Sequence, residues 1–187
     1  MTELPAQRFL LEAIRVLETL GIDYMVMGGF AVRTWGIPRP TYDADIAVAA
    51  DDRKLPDLLT ALEGAGFDVP QEHKKGFQDT VSGFRKVKVT RFEGTSVWDV
   101  DLFLVRGAFL ESAIRRRGSR TLDGRTAWVI SAEDLILMKL IAHRRKDQLD
   151  VEEILRITPA VDRTYLNEWA QSLGVTERLE EFLRELK

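Results

Sequence analysis

The chain has no cysteine and only two histidines, His73 and His143, in 187 residues. Disulfides and thiolate-held zinc are therefore excluded, and two distant imidazoles give no metal-ligand spacing. A cysteine-free chain suits a reducing compartment. No apolar run approaches the roughly 18 residues of a membrane span. The opening MTELPAQRFLLEAIRVLETLG intersperses acids and arginines among its apolar residues and lacks the core of a signal peptide. The expectation is a soluble, cytoplasmic protein with no membrane partner. An excess of positive charge is also missing: 27 Lys and Arg stand against 30 Asp and Glu, for a net charge of -3. Composition thus carries no nucleic-acid footprint, although a local basic patch stays open.

What is present is ordinary for a globular protein: 45% apolar and 30% charged residues. A chain this long buries roughly 70% of its unfolded surface and needs no covalent staple. Phe9, Leu10, Ala13, Ile14, Leu17 and Leu20 share one helical face, and Gly21 ends that helix. Tyr24 to Met27 reads as a short strand, Phe30 to Trp35 as a helix opening at glycines, and Asp43 to Ala50 as a strand. Pro38 and Pro40 keep the segment between them extended. Leu55 to Ala65 is helical. Pro70 to Gly83 is polar and weakly periodic, the best candidate for a loop near a site. Phe84 to Phe92 reads as a strand with a basic outer face (Arg85, Lys86, Lys88, Arg91), followed by a strand at Val97 to Val105. Ala108 to Arg117 is a short helix and Arg125 to Ile130 a strand. Ser131 caps a helix running to about His143. Helices at 147–157, 163–173 and 176–186 follow. The fold class is α/β (α+β): a small mixed-sheet core over residues 1–130, then a helical region over 131–187.

Two features carry chemistry. Gly28-Gly29 closes an apolar strand and lets backbone N–H groups approach a ligand without Cβ interference. A helix opening there adds the positive end of its dipole, a setting for phosphate. Asp43 and Asp45 then alternate on one face of a strand, with Ala44 and Ile46 on the other. Asp99 and Asp101 repeat the arrangement among Trp98, Val100 and Leu102. Carboxylates this close repel one another unless a cation intervenes. A hard divalent cation held by carboxylate oxygens meets that need. Magnesium fits best when substrate phosphates complete its octahedron.

These residues carry a resemblance. Gly-Gly, then Asp-x-Asp after about a dozen residues, then an Asp on a later strand, resembles the nucleotidyltransferase superfamily that includes DNA polymerase β. Arg39-Pro40-Thr41-Tyr42-Asp43-Ala44-Asp45-Ile46 is similar to the Arg-x-Thr-x-Asp-hydrophobic-Asp form of its small bacterial members. Ala44 replaces the larger aliphatic residue usual there. The run Glu133-Asp134-Leu135-Ile136-Leu137-Met138-Lys139-Leu140, with Ala142, Arg144, Lys146-Asp147 and Asp150, resembles the helical half of AbiEii-like nucleotidyltransferases. That group includes toxins of bacterial toxin–antitoxin pairs. The likeness spans roughly residues 24 to 151.

The resemblance implies transfer of an NMP from an NTP to a hydroxyl, with magnesium or manganese as cofactor. Asp43 and Asp45 would bind the metals. Asp101 would bind the metal at the acceptor hydroxyl, with Asp99 behind it or touching the metal through water. Gly28 and Gly29 would cradle the triphosphate. Arg39, Thr41, Lys139 and Arg144 would contact phosphates. The acceptor would be an RNA 3′ end such as that of tRNA, a protein hydroxyl or a small molecule, and an antitoxin protein would be a partner. An antibiotic-modifying enzyme and a non-catalytic nucleotide- or partner-binding module are the alternatives.

Several residues have plainer readings. Lys139 suits a solvated helix position. Arg144-Arg145-Lys146 suits a helix end where cations favour the dipole. Trp35, Trp98, Trp128 and Trp169 read as core, and Tyr42 as a packing residue. Lys74, Lys75, Arg85, Lys86 and Lys88 with Arg115-Arg116-Arg117 are the candidates for an RNA-binding surface.

Overall fold

A computed structural model describes residues 5–122 and 124–185. Its centre is a seven-stranded mixed sheet in the order β3-β4-β5-β2-β1-β7-β6. The strands are β1 (Tyr24–Val26), β2 (Asp43–Val48), β3 (Phe77–Gln78), β4 (Arg85–Glu93), β5 (Ser96–Leu104), β6 (Gly118–Leu122) and β7 (Arg125–Val129). The helices are α1 (Pro5–Thr19), α2 (Gly28–Trp35), α3 (Leu55–Gly64), α4 (Gly107–Arg116), α5 (Ala132–Ala142), α6 (Arg145–Ile157), α7 (Arg163–Leu173) and α8 (Thr176–Glu185). None of the described helices is long and apolar enough to cross a membrane.

The central strands β2 and β5 run parallel, and β1 runs antiparallel to β2. On one face of β2 and β5, Ala44, Ile46, Val48, Val100, Leu102 and Leu104 are buried in the main core. Helix α1 packs on that side, with the Phe9 ring 6.5 Å from that of Trp98. The other face carries the carboxylates. The apolar face fixes the register, because a one-residue slip would turn every aspartate into the core.

Four expectations need correction. Leu20 lies beyond the end of α1 and is 40% exposed. Trp128 is 41% exposed, because β7 alternates and buries Ala127 and Val129 instead; the Arg117 guanidinium covers its ring at 5.0 Å. Tyr42 is 75% exposed rather than packed. The basic outer face of β4 does not exist as such. Strict alternation puts Arg85 and Arg91 on the side of Val87 and Val89, and turns Lys86 and Lys88 toward the carboxylates of β5.

Two strands were not legible as strands. The polar β6 sits at the sheet edge and buries only Leu122, so it shows no apolar alternation. Within 70–83, the structure has a single 3₁₀ turn at Gln71–His73 and the two-residue β3, which pairs with β4.

Candidate active site

The site is built by register. Asp43 lies directly opposite Asp99, and Asp45 opposite Asp101, across the parallel β2–β5 pair. All four therefore project from the same face of the sheet. The cleft over that face is lined by Gly28, Gly29, Arg39, Thr41, Asp43, Asp45, Asp101, Lys139 and Arg144, together with Asp79, Ser82, Lys86, Lys146 and Asp147. The residues singled out in the sequence are thus brought together, apart from Asp99. That carboxylate stands outside the cleft, bonded to Lys88 Nζ at 2.7 Å and Thr90 Oγ1 at 3.0 Å. Asp101 is the carboxylate of β5 that faces the cleft.

The glycines fit this geometry sterically. Gly28 has φ +59°, and a Cβ there would fall 1.8 Å from Asp45 Oδ2. A Cβ on Gly29 would fall 2.6 Å from Thr41 Oγ1. Side chains at either position would push into the groups that line the cleft. The Gly pair also opens α2, whose N-cap Met27 supplies no side-chain acceptor. The first-turn N–H groups of that helix are left for a ligand or water. Thr41 is buried and donates to Asp43 at 3.2 Å, to the carboxylate Oδ1 or the backbone oxygen.

The opposite wall comes from α5 and α6. Lys139 is buried, its ammonium 2.9 Å from Asp147 and 2.7 Å from Asp150. It is not a solvated helix residue. Arg39 forms a two-bond fork on Asp150, with Nε and Nη2 each at 2.8 Å. Arg144 Nε donates to Asp147 at 2.6 Å. Arg39, Asp150, Lys139, Asp147 and Arg144 thus form one chain of alternating charge that ties the 38–42 segment to both helices. Burial works against both aspartates, yet their cationic partners hold Asp147 and Asp150 below the usual carboxylate range. Three cations against two carboxylates leave a positive surplus beside the cleft. Arg144, Arg145 and Lys146 stand at the start of α6, not at a helix C-terminus, so the helix dipole opposes them. Asp147 in the first turn offsets that cost.

Across the cleft, Lys86 Nζ bonds Asp101 Oδ2 at 2.7 Å and Asp79 Oδ1 at 3.1 Å. Asp79 also accepts from the amide and hydroxyl of Ser82. Neither Asp79 nor Lys86 was singled out in the sequence as lining a catalytic cleft. A signal was available: Gly94-Thr95 is a two-residue hairpin loop, and counting back from it pairs Lys88 with Asp101 and Lys86 with Phe103. Arg116 and Arg117 are engaged elsewhere. Arg116 meets Glu133, Asp134 and the Tyr165 ring, and Arg117 meets Asp23.

Asp45 is electrostatically exposed to its own kind. Burial first, then the charges of Asp43 and Asp101, push its pKa up to about 7, against a smaller opposing pull from Lys139 and Lys86. Asp101 Oδ1 is buried with no hydrogen-bond partner. Asp45 is crowded by like charge, and Asp101 Oδ1 has an open acceptor position with the Lys88 ammonium no nearer than 3.9 Å; hard oxygen donors are what magnesium takes. Among the described residues no group of three or more His, Asp or Glu side chains stands ready to hold a metal ion. That is compatible with magnesium, which uses one or two carboxylates and leaves other positions to water and substrate phosphates.

No family model matches the chain, and no curated protein matches it. Solved structures do. An antigenic nucleotidyltransferase-like protein from Paracoccidioides brasiliensis is similar with a TM-score of 0.52 and 22% identity, over 96% of this chain and 91% of that one. The lincosamide antibiotic adenylyltransferase LnuA, solved with lincomycin bound, gives 0.56 and 17% over 81% and 98%. The antibiotic-resistance factor ANT(2″)-Ia gives 0.57 and 13% over 96% and 95%. The chain therefore has the fold of nucleotidyltransferase-like proteins, as its motifs implied. The likeness reaches the fold and stops short of the AbiEii-like subgroup.

Proposed function

We propose that this protein is a magnesium- or manganese-dependent nucleotidyltransferase that moves an NMP from an NTP to a hydroxyl acceptor. The observation that carries the reading is the β2–β5 register, which sets Asp45 beside Asp101 over a cleft with an uncapped helix N-terminus and a basic wall. When bound, the metal supplies charge stabilisation to the attacking and leaving oxygens of an in-line displacement at the α-phosphate. Asp43 and Asp45 would hold it, and Asp101 would complete its carboxylate set. Asp101 would also accept the proton of the acceptor hydroxyl. The amides of Gly28 and Gly29 meet the triphosphate. Thr41 holds Asp43 in place. Arg39, Lys139 and Arg144 offer phosphate the charge that Asp147 and Asp150 leave uncancelled.

The similar antibiotic-modifying structures raise a small-molecule acceptor as an alternative. The cleft does not single out a cationic drug, since Asp43, Asp45, Asp79, Asp101 and Asp147 are matched by Arg39, Lys86, Lys139, Arg144 and Lys146. The AbiEii-like resemblance of the run from Glu133 to Asp150 raises an antitoxin as partner and a cytoplasmic location; it says little about the acceptor, which is an RNA 3′ end, a protein hydroxyl or a small molecule. One experiment separates these. Each α-labelled NTP is incubated with Mg²⁺ and cellular RNA, protein or small-molecule fractions. Label entering one fraction, and lost in Asp43→Ala/Asp45→Ala, identifies the acceptor class. Absence of transfer together with absence of NTP binding by calorimetry leaves the partner-binding module as the reading.

A further inference from the structure

Of the described basic side chains lining the cleft, Lys86 alone is bonded to one of the three carboxylates assigned to the metal. Its environment is unusual for a lysine. The side chain is only 12% exposed, and the ammonium lies 5.4 Å from the Phe103 ring and 5.7 Å from that of Phe77. It has two carboxylate partners, Asp101 on the central sheet and Asp79 in the turn before β4. Asp101 itself is incompletely used: Oδ2 takes the lysine, while the buried Oδ1 has no hydrogen-bond partner and only the Lys88 ammonium at 3.9 Å. A buried carboxylate that is to stay ionised needs a counter-ion. Two cations of full strength on one carboxylate repel each other.

We infer that Lys86 is the displaceable counter-ion of Asp101: it neutralises that carboxylate in the metal-free protein and yields it to the divalent ion, staying on Asp79. This rests on the reading of Asp101 as a metal ligand. Lys86 is on this account a positioning residue. It keeps the metal-free site folded and makes the ion compete for its place. Asp79 gives the ammonium somewhere to go, so no charge is stranded when the ion arrives.

The test is direct metal binding without nucleotide. Mn²⁺ alone is titrated into wild type, Lys86→Met, Lys86→Gln and Asp101→Asn, with free Mn²⁺ read by electron paramagnetic resonance. Both Lys86 variants should bind Mn²⁺ about tenfold more tightly than wild type. Asp101→Asn, alone or combined with Lys86→Met, should weaken binding to a common level. Unchanged or weaker binding in both Lys86 variants overturns the inference, since a merely structural lysine would give that result. No Mn²⁺ binding by wild type removes the metal reading and this inference with it. Melting provides a check that tolerates a weakly folded variant. Saturating Mn²⁺ should raise the midpoint of Lys86→Met more than that of wild type, and an equal or smaller rise also overturns the proposal.

Discussion

Asp45 and Asp101 are direct register partners on parallel strands, so their carboxylates leave the same face of the sheet side by side. Neighbouring strands lie roughly 4.8 Å apart, and at that spacing two buried charges of one sign are costly. The fold keeps them there because the alternate residues, Ile46 and Leu102, are locked in the core. Moving either strand by one residue would bury the aspartates and expose the core.

The strain has a pH signature. Asp45 titrates near 7 in the folded protein and near 3.8 without its surroundings. Between those values the folded state holds a proton that the unfolded chain has lost. Metal-free stability therefore falls as pH rises from about 4 to about 7, by an amount on the order of 4 kcal/mol, and levels off above. Asp45→Asn should remove that slope and be the more stable protein at pH 8. Urea denaturation at pH 5 to 8 reads this directly. A flat wild-type profile would rule out the raised pKa that burial, and then the neighbouring carboxylates, impose. Metal binding should also release a proton below pH 7, visible as buffer-dependent heats in calorimetry.

The two carboxylates of β5 should separate by function. Asp101 faces the cleft, while Asp99 is occupied by Lys88 and Thr90 outside it. Asp101→Asn should lower nucleotide transfer about a hundred- to a thousandfold, the range expected when transition-state charge loses its partner. Asp99→Asn should stay within about fivefold, the residue being part-exposed and its ion pair worth under about 1 kcal/mol. Steady-state rates with the acceptor found by labelling provide the comparison. Equal losses in both would return Asp99 to the site.

Legibility followed distance along the chain. Gly28-Gly29 and Asp43-Ala44-Asp45 are local patterns, and their strand and helix were readable from alternation and turn residues. The parallel direction of the β2–β5 pair was not read from the sequence, because nothing local fixes which strands pair or how. Lys86 and Lys88 read as solvent-facing because they flank valines; their partners, Asp101 and Asp99, lie across a hairpin. The plainer reading of Lys139 as a solvated helix position failed because its acids come from the next helix. The edge strand β6 was hidden by polarity. In each miss, a tertiary partner decided what local pattern could not.

Asp150 should be a stability residue with a functional shadow. It accepts from both Arg39 and Lys139, and its side chain is 5% exposed. Asp150→Ala leaves Lys139 with Asp147 alone and frees Arg39 from its fork. Breaking such a buried network costs about 3–5 kcal/mol. The urea midpoint should drop accordingly at pH 7, and NTP affinity should fall with it as Arg39 loses its position. A loss under about 1 kcal/mol would mean the network is solvated in solution.

Gly28 and Gly94 form a matched pair for testing the cradle. Both have a left-handed backbone, at φ +59° and +58°. An alanine Cβ at Gly94 meets nothing within 4 Å, whereas at Gly28 it would fall 1.8 Å from Asp45 Oδ2. Gly94→Ala should therefore cost only the conformational penalty, about 1 kcal/mol, with nucleotide binding unchanged. Gly28→Ala carries the same penalty and must also drive the Asp45 carboxylate away or tilt the start of α2. Its NTP affinity should fall at least about tenfold beyond any effect of Gly94→Ala, because carboxylate and amides are displaced together. Paired calorimetric titrations give the difference. If the two variants bind NTP alike, the close approach of Gly28 to Asp45 has no part in nucleotide binding.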